Sequence, residues 1–130
     1  MSDSNTPSLS PLHLPPGELV ALRDQLRTFA AERDWDQFHT PKNLAAALAV
    51  EAAELLENFQ WLTAEESQQL TPETLAAVRA EVADVLLYLI RISDKLGIDL
   101  VAAAQEKIAV NAVKYPIDKA RGSHKKYSAL

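Results

Sequence analysis

The chain has 130 residues, of which 48% are hydrophobic and none is cysteine. That is enough for one compact domain, and it excludes disulfides, thiol catalysis and zinc sites built on thiolates. A net charge of -5 and a pI near 5.1 exclude the broad basic footprint that a nucleic acid polymer requires, and no wholly apolar run approaches the roughly 20 residues of a membrane span.

Residues 1–16 are rich in Ser, Thr, Asn and Pro without periodicity, which predicts a flexible leader. The first residues carry no basic start or apolar stretch of a secretory signal, so a cytoplasmic location is expected. Leu19, Leu22, Leu26 and Phe29 recur at three and four residues and predict a first helix. It stops before Asp34-Trp-Asp-Gln-Phe-His39, which reads as a loop. Thr40-Pro41 supplies an N-cap followed by proline at the first helical position, where the missing N–H is harmless. A second helix is predicted from there to about Trp61. Thr71-Pro72-Glu73 repeats the signal for a third and longest helix, stopped by Gly97. Asp99 caps a fourth, which Pro116 closes. The organised domain spans residues 17–118, and 119–130 form a basic tail. No strand pattern appears, so the expected fold is an all-α four-helix bundle. The segment Val82–Ile90 is apolar almost all the way round, which four helices hide poorly, and this predicts a second subunit covering the remainder.

Glu51 and Glu54 share one face of the second helix, and Glu81 and Asp84 share one face of the third. A lone acid pair at this spacing is more often solvated surface. Here the neighbours at three and four residues are Ala47, Leu48 and Leu55 for Glu51, and Ala77, Val78 and Val85 for Glu81, with no Lys or Arg among them. The acids therefore point inward. Two unit charges about 4 Å apart repel by roughly 4 kcal/mol at an effective dielectric near 20. A hard divalent cation relieves that repulsion and suits oxygen ligands, with Mg2+ expected and Mn2+ as a substitute. Magnesium shares its shell with phosphates, which points to a phosphorylated substrate. A di-iron bundle would need Glu-x-x-His motifs, but His13, His39 and His124 all fall outside the acidic helices. Glu57 extends the acidic row, either supporting the site or lying on the surface.

Trp61 and Tyr88 follow Glu54 and Asp84 by seven and four residues and read either as core aromatics or as stacking partners for a base. Trp35, Phe38 and His39 cluster in the predicted loop, where a core role is less natural, and form a candidate base pocket. Lys107, Asn111 and Lys114 make one polar stripe on the fourth helix, explained equally by solvation or by donation to phosphate oxygens.

Asp34-Trp-Asp-Gln-Phe-His39, Asn43, Glu51-x-x-Glu54, Phe59-Gln-Trp61, Glu81-x-x-Asp84 with Tyr88, Asn111-x-x-Lys-Tyr-Pro116 and Arg121-Gly-Ser123 together resemble the dCTP pyrophosphatase branch of the MazG-like superfamily, from about residue 19 to the C-terminus. The resemblance implies a MazG-like fold assembled as a dimer or a tetramer of dimers. It also implies hydrolysis of a nucleoside triphosphate to the monophosphate and pyrophosphate. By position it gives Glu51, Glu54, Glu81 and Asp84 as metal ligands and Glu51 or Glu54 as the group orienting the attacking water. Trp35, Asp36, Gln37, Phe38, His39, Trp61 and Tyr88 would line the base and sugar pocket, and Lys107, Asn111 and Lys114 would meet the phosphates. Many members double the first acid, whereas Val50 precedes Glu51 here. A different base preference, such as dUTP or a broad range, and a non-catalytic helical interaction module are the rival readings.

Overall fold

The computed structural model describes residues 17–130, so the expected leader lies outside the described residues. The described residues form helices α1 (Glu18–Glu32), α2 (Pro41–Glu57), α3 (Pro72–Lys95), α4 (Leu100–Lys114) and a short α5 (Ile117–Ala120), with single 3-10 turns at Asp36–Phe38, Glu66–Gln68 and Tyr127–Ala129. No strand occurs among them, as the sequence predicts, and no helix is long and apolar enough to cross a membrane.

Local chemistry accounts for most of the boundaries. Thr40 Oγ1 accepts from the backbone N–H of Asn43 at 3.2 Å, Thr71 Oγ1 from that of Thr74 at 3.2 Å, and Asp99 Oδ1 from that of Ala102 at 3.0 Å. Each satisfies an N–H that the first helical turn leaves orphaned. Helix α3 ends in a paired C-terminal closure: Ile98 N–H donates to the Ser93 carbonyl and Gly97 N–H to that of Asp94. Gly97 has φ +66° there, a conformation glycine adopts without strain. Helix α1 closes the same way on a non-glycine residue. Trp35 N–H donates to the Ala30 carbonyl and Asp34 N–H to that of Ala31, with Asp34 at φ 52°. That turn swings Trp35 back onto α1, where its ring meets Phe29 edge-on at 5.6 Å.

One boundary differs from the sequence reading. Helix α2 stops at Glu57 and does not reach Trp61. The Asn58 side-chain amide donates to the Glu54 carbonyl at 3.1 Å, and Phe59 N–H bonds only three residues back, to Leu56. The chain tightens and leaves the helix axis, so Trp61 does not continue the face of Glu54.

Helix α3 is the centre of the packing, against α2 along much of its length and against α1 over a shorter stretch. Ala30, Leu44 and Ile90 form the fully buried apolar core. Helix α4 makes no comparable contact with α1, α2 or α3, so the closely packed unit within one chain has three helices and not four. Val82 and Leu86, in the apolar stretch whose remainder a second subunit is expected to cover, are exposed in the single chain, as are Ile108 and Val113 on α4.

Candidate metal centre and base pocket

Because α2 and α3 pack side by side, their acidic faces meet. Oxygen atoms of Glu51, Glu81 and Asp84 all lie within 4.8 Å of one another. Oxygens around one magnesium lie roughly 3–4 Å apart, given bonds of about 2.1 Å, so small side-chain rotations complete the set. Glu51 Oε2 and Glu81 Oε2 are buried and have no hydrogen-bond partner among the described residues. Buried carboxylate oxygens without a donor are costly, and none of the ion pairs among the described residues involves these acids. Burial, followed by close contact with the Glu54 and Glu81 carboxyls and by the charges of Glu54 and Asp84, pushes the Glu51 carboxyl up to about 7. Unpartnered oxygens, like charges and a hard donor set together fit a divalent cation.

Glu54 stands one turn from Glu51 and acts on it, but it is not in the group of three converging ligands. The structure therefore brings together three of the four expected metal ligands. Glu57 is exposed at the end of α2.

Beside Asp84, Trp35, His39 and Tyr88 line a cavity of about 210 Å³. Its remaining wall comes from Leu26, Phe29, Ala30, Leu87 and Arg91. Of these, Arg91 carries a sequence signal, since it lies seven residues after Asp84 and three after Tyr88, on the same face. The other residues of the predicted loop lie elsewhere. Asp36 pairs with Arg91 and Lys95, cations that hold its carboxyl below the usual range. Gln37 donates to the Asp34 carbonyl at 3.0 Å, and Phe38 is exposed. Asn43 Nδ2 donates to the Phe38 carbonyl at 3.0 Å, pinning the loop to the start of α2. Trp61 is 86% exposed and stands outside the cavity wall. Lys107, Asn111 and Lys114 also stand outside it, and Lys114 Nζ sits 5.0 Å above the Tyr127 ring.

A larger cavity, about 370 Å³, opens at the far end of α3. Of its two carboxylates, Asp94 is already bound by Arg27, whose Nε donates at 2.7 Å, and Asp99 caps the start of α4. The cavity lacks the uncompensated charge that marks the α2–α3 site.

Comparison with known proteins places the chain among relatives. The chain is 45% identical over 104 residues to dCTP pyrophosphatase 1 of Homo sapiens, a match covering 78% of this chain and 61% of that protein. It is 44% identical over 104 residues to dCTP pyrophosphatase 1 of Bos taurus, covering 78% and 62%. The match thus spans less than two thirds of the relatives' own length. Among solved structures, a pyrophosphatase from Archaeoglobus fulgidus superposes with a TM-score of 0.75 at 39% identity, covering 80% of this chain and 97% of that one. The MazG-like family model matches residues 46–130, which include every acid of the cluster, and the chain belongs to the MazG-like family.

Proposed function

We propose that the chain is a Mg2+-dependent nucleoside triphosphate pyrophosphohydrolase that converts dCTP, and base-modified dCTP, to dCMP and pyrophosphate. Mn2+ would serve as a substitute, and the role would be removal of unwanted cytoplasmic nucleotides. The observation that carries this reading is the pair of buried, unpartnered oxygens of Glu51 and Glu81 beside Asp84, with no cation among the described residues to meet them. The name shared by the human and bovine relatives supports the choice of dCTP.

Glu51, Glu81 and Asp84 would hold the ion, with Glu54 one turn from Glu51. When bound, a divalent ion supplies Lewis-acid polarisation of phosphate oxygens and acidifies water. Glu51 or Glu54 would accept the proton of the attacking water. Trp35 and Tyr88 flank the base, while His39 offers the pocket a ring nitrogen. Lys107, Asn111, Lys114 and Trp61 reach the nucleotide only in an assembly. A second copy covering α4 and the exposed side of α3 would bring them in and bury Val82, Ile108 and Val113. Light scattering is expected to give a dimer or tetramer, and Val113→Asp a smaller species.

The direct test is to incubate the protein with each nucleoside triphosphate, with Mg2+ and with chelator, and to separate the products. Pyrophosphate and monophosphate, greatest from dCTP and lost with chelator, are expected. Strongest turnover of dUTP would move the substrate within the same reaction. Release of neither pyrophosphate nor monophosphate from any triphosphate would overturn the hydrolase reading in favour of a non-catalytic module.

A further inference from the structure

The cavity beside Asp84 has a ring nitrogen whose protonation is set from behind. Arg91 is 5% exposed, and its guanidinium is engaged on three sides. Nε donates to His39 Nδ1 at 3.0 Å, Nη2 pairs with Asp36 Oδ1, and Nη1 lies 3.7 Å from Asp94 Oδ2. Lys95 Nζ meets the same Asp36 oxygen at 2.9 Å and helps hold it in place. A guanidinium has only donors to offer, so the imidazole nitrogen that accepts from it carries no proton. The single imidazole proton then resides on Nε2, which has no hydrogen-bond partner among the described residues, and His39 forms part of the cavity wall.

We infer that Arg91 is a positioning residue which, by holding His39 in the Nε2–H form, gives the pocket a fixed hydrogen-bond donor that selects a nucleobase presenting a ring carbonyl. The inference rests on the nucleotide reading above and names the device by which that pocket discriminates. A cavity of about 210 Å³ is below the roughly 300 Å³ at which whole-ligand pockets begin, which suits one planar base with the phosphates outside, toward the acids. Burial first, and then the Arg91 charge, disfavours a second proton on His39. A cytosine or uracil offers its carbonyl to the donor. Adenine has no carbonyl, and its accepting nitrogens lie back in the ring, short of where a carbonyl oxygen would project toward Nε2, so its affinity should be lower by on the order of 10-fold.

The test uses the full chain labelled with nitrogen-15 histidine, read by proton–nitrogen correlation spectra with and without dCMP or dAMP, alongside kinetics on dCTP and dATP. The wild type is expected to show a bare Nδ1 and a protonated Nε2 for His39, shifted by dCMP and much less by dAMP. Arg91→Lys keeps a cation beside Asp36 but lacks the planar Nε–H. It should release the ring into mixed tautomers, raise KM for dCTP roughly 10-fold with kcat little changed, and narrow the preference over dATP. Arg91→Gln, whose amide can still donate to Nδ1, should recover part of both effects. A protonated Nδ1 in the wild type, or an Arg91→Lys protein with unaltered tautomer and base preference, would overturn the inference. If Arg91→Lys does not fold, His39→Phe keeps the ring and removes the donor, and an unchanged preference there is equally fatal. If no triphosphate is hydrolysed, the hydrolase reading falls, while the His39 spectra still decide: no response to dCMP overturns this inference separately.

Discussion

In its middle turns α3 carries Glu81 and Asp84 against Glu51 of α2, with no cation among the described residues in reach. Ten residues on, about 15 Å along the axis, the same helix carries Asp94 between Arg27 and Arg91, with Asp36 held by Arg91 and Lys95. Both regions contain carboxylates with restricted access to water, and the surroundings move them in opposite directions. Arg27 lowers the Asp94 carboxyl, whereas burial and the neighbouring acids raise Glu51 to about 7. The paired end is complete within the chain and stabilises the fold. The unpaired end is a site for a cation that the chain does not supply, and its repulsion persists until one binds.

The largest effect that sharpens the contrast is on catalysis. Glu51→Gln should lower kcat/KM for dCTP by roughly 10²–10⁴-fold, the span typical of losing a positioned acid or base. Asp94→Asn should lower it far less, because Asp94 lies outside the base pocket and reaches it only through Arg91. Near-normal turnover in Glu51→Gln would remove the site assignment.

Next in size is the response to magnesium. A ligand that binds only the folded state stabilises it by about 2.7 kcal/mol when present at 100 times its Kd. Thermal melts with Mg2+ against chelator should show that gain in the wild type and lose most of it in Glu81→Gln. An equal gain in both proteins would place the ion elsewhere.

Removing a charge from each region should then change stability in opposite senses. Asp94→Asn leaves Arg27 with only the exposed Asp24 and takes one of the two carboxylates from Arg91, and the melting temperature should fall by roughly 3–6 °C, a modest loss because Arg27 is half exposed. Glu81→Gln in chelator removes one of several like charges, and its melting temperature should hold or rise. A fall as large as that of Asp94→Asn would mean that the acid cluster is stabilising without metal.

The paired end was the harder of the two to read from sequence. The caps at Thr40, Thr71 and Asp99 and the stop at Gly97 are local signals, each completed by a hydrogen bond within three to five residues. The approach of Glu51, Glu81 and Asp84 was also legible, because acids at helical spacing amid apolar neighbours imply convergence, although Glu54 stands outside the group. The Arg91 links to His39 and Asp36 cross 52 and 55 residues of sequence and have no local signature. Asp34 in a left-handed conformation, which turns Trp35 onto α1, is a position usually signalled by glycine. The end of α2 at Glu57 depends on one side-chain bond from Asn58 that competes with the helix, and periodicity does not register it. The isolation of α4 is illegible for another reason: its apolar face fits burial in its own chain as well as in a second copy.

The smallest effect is the slope of stability with pH, and it separates the two regions without mutating either. Asp94 and Asp36 have folded-state values below their ordinary 3.8. Their contribution is present above that value and is lost on acidification, so it is constant from pH 6 upward. His39 is lowered from 6.5; its contribution is complete about one unit above that value and diminishes as pH falls. Glu51 runs the other way. Its carboxyl is raised from 4.5 to about 7, so its contribution is present below 4.5 and is lost as pH rises through about 7. From about pH 7 to 8 the paired acids are saturated and His39 nearly so, and the metal-free protein should lose stability with rising pH. Mg2+ binds the ionised cluster and should abolish or reverse that slope, because the ligands must be deprotonated. Glu51→Gln should flatten it without metal. Melts in chelator that stay flat across this window in the wild type would mean that the Glu51 carboxyl is already ionised, and that the two ends of α3 hold their acids in the same state.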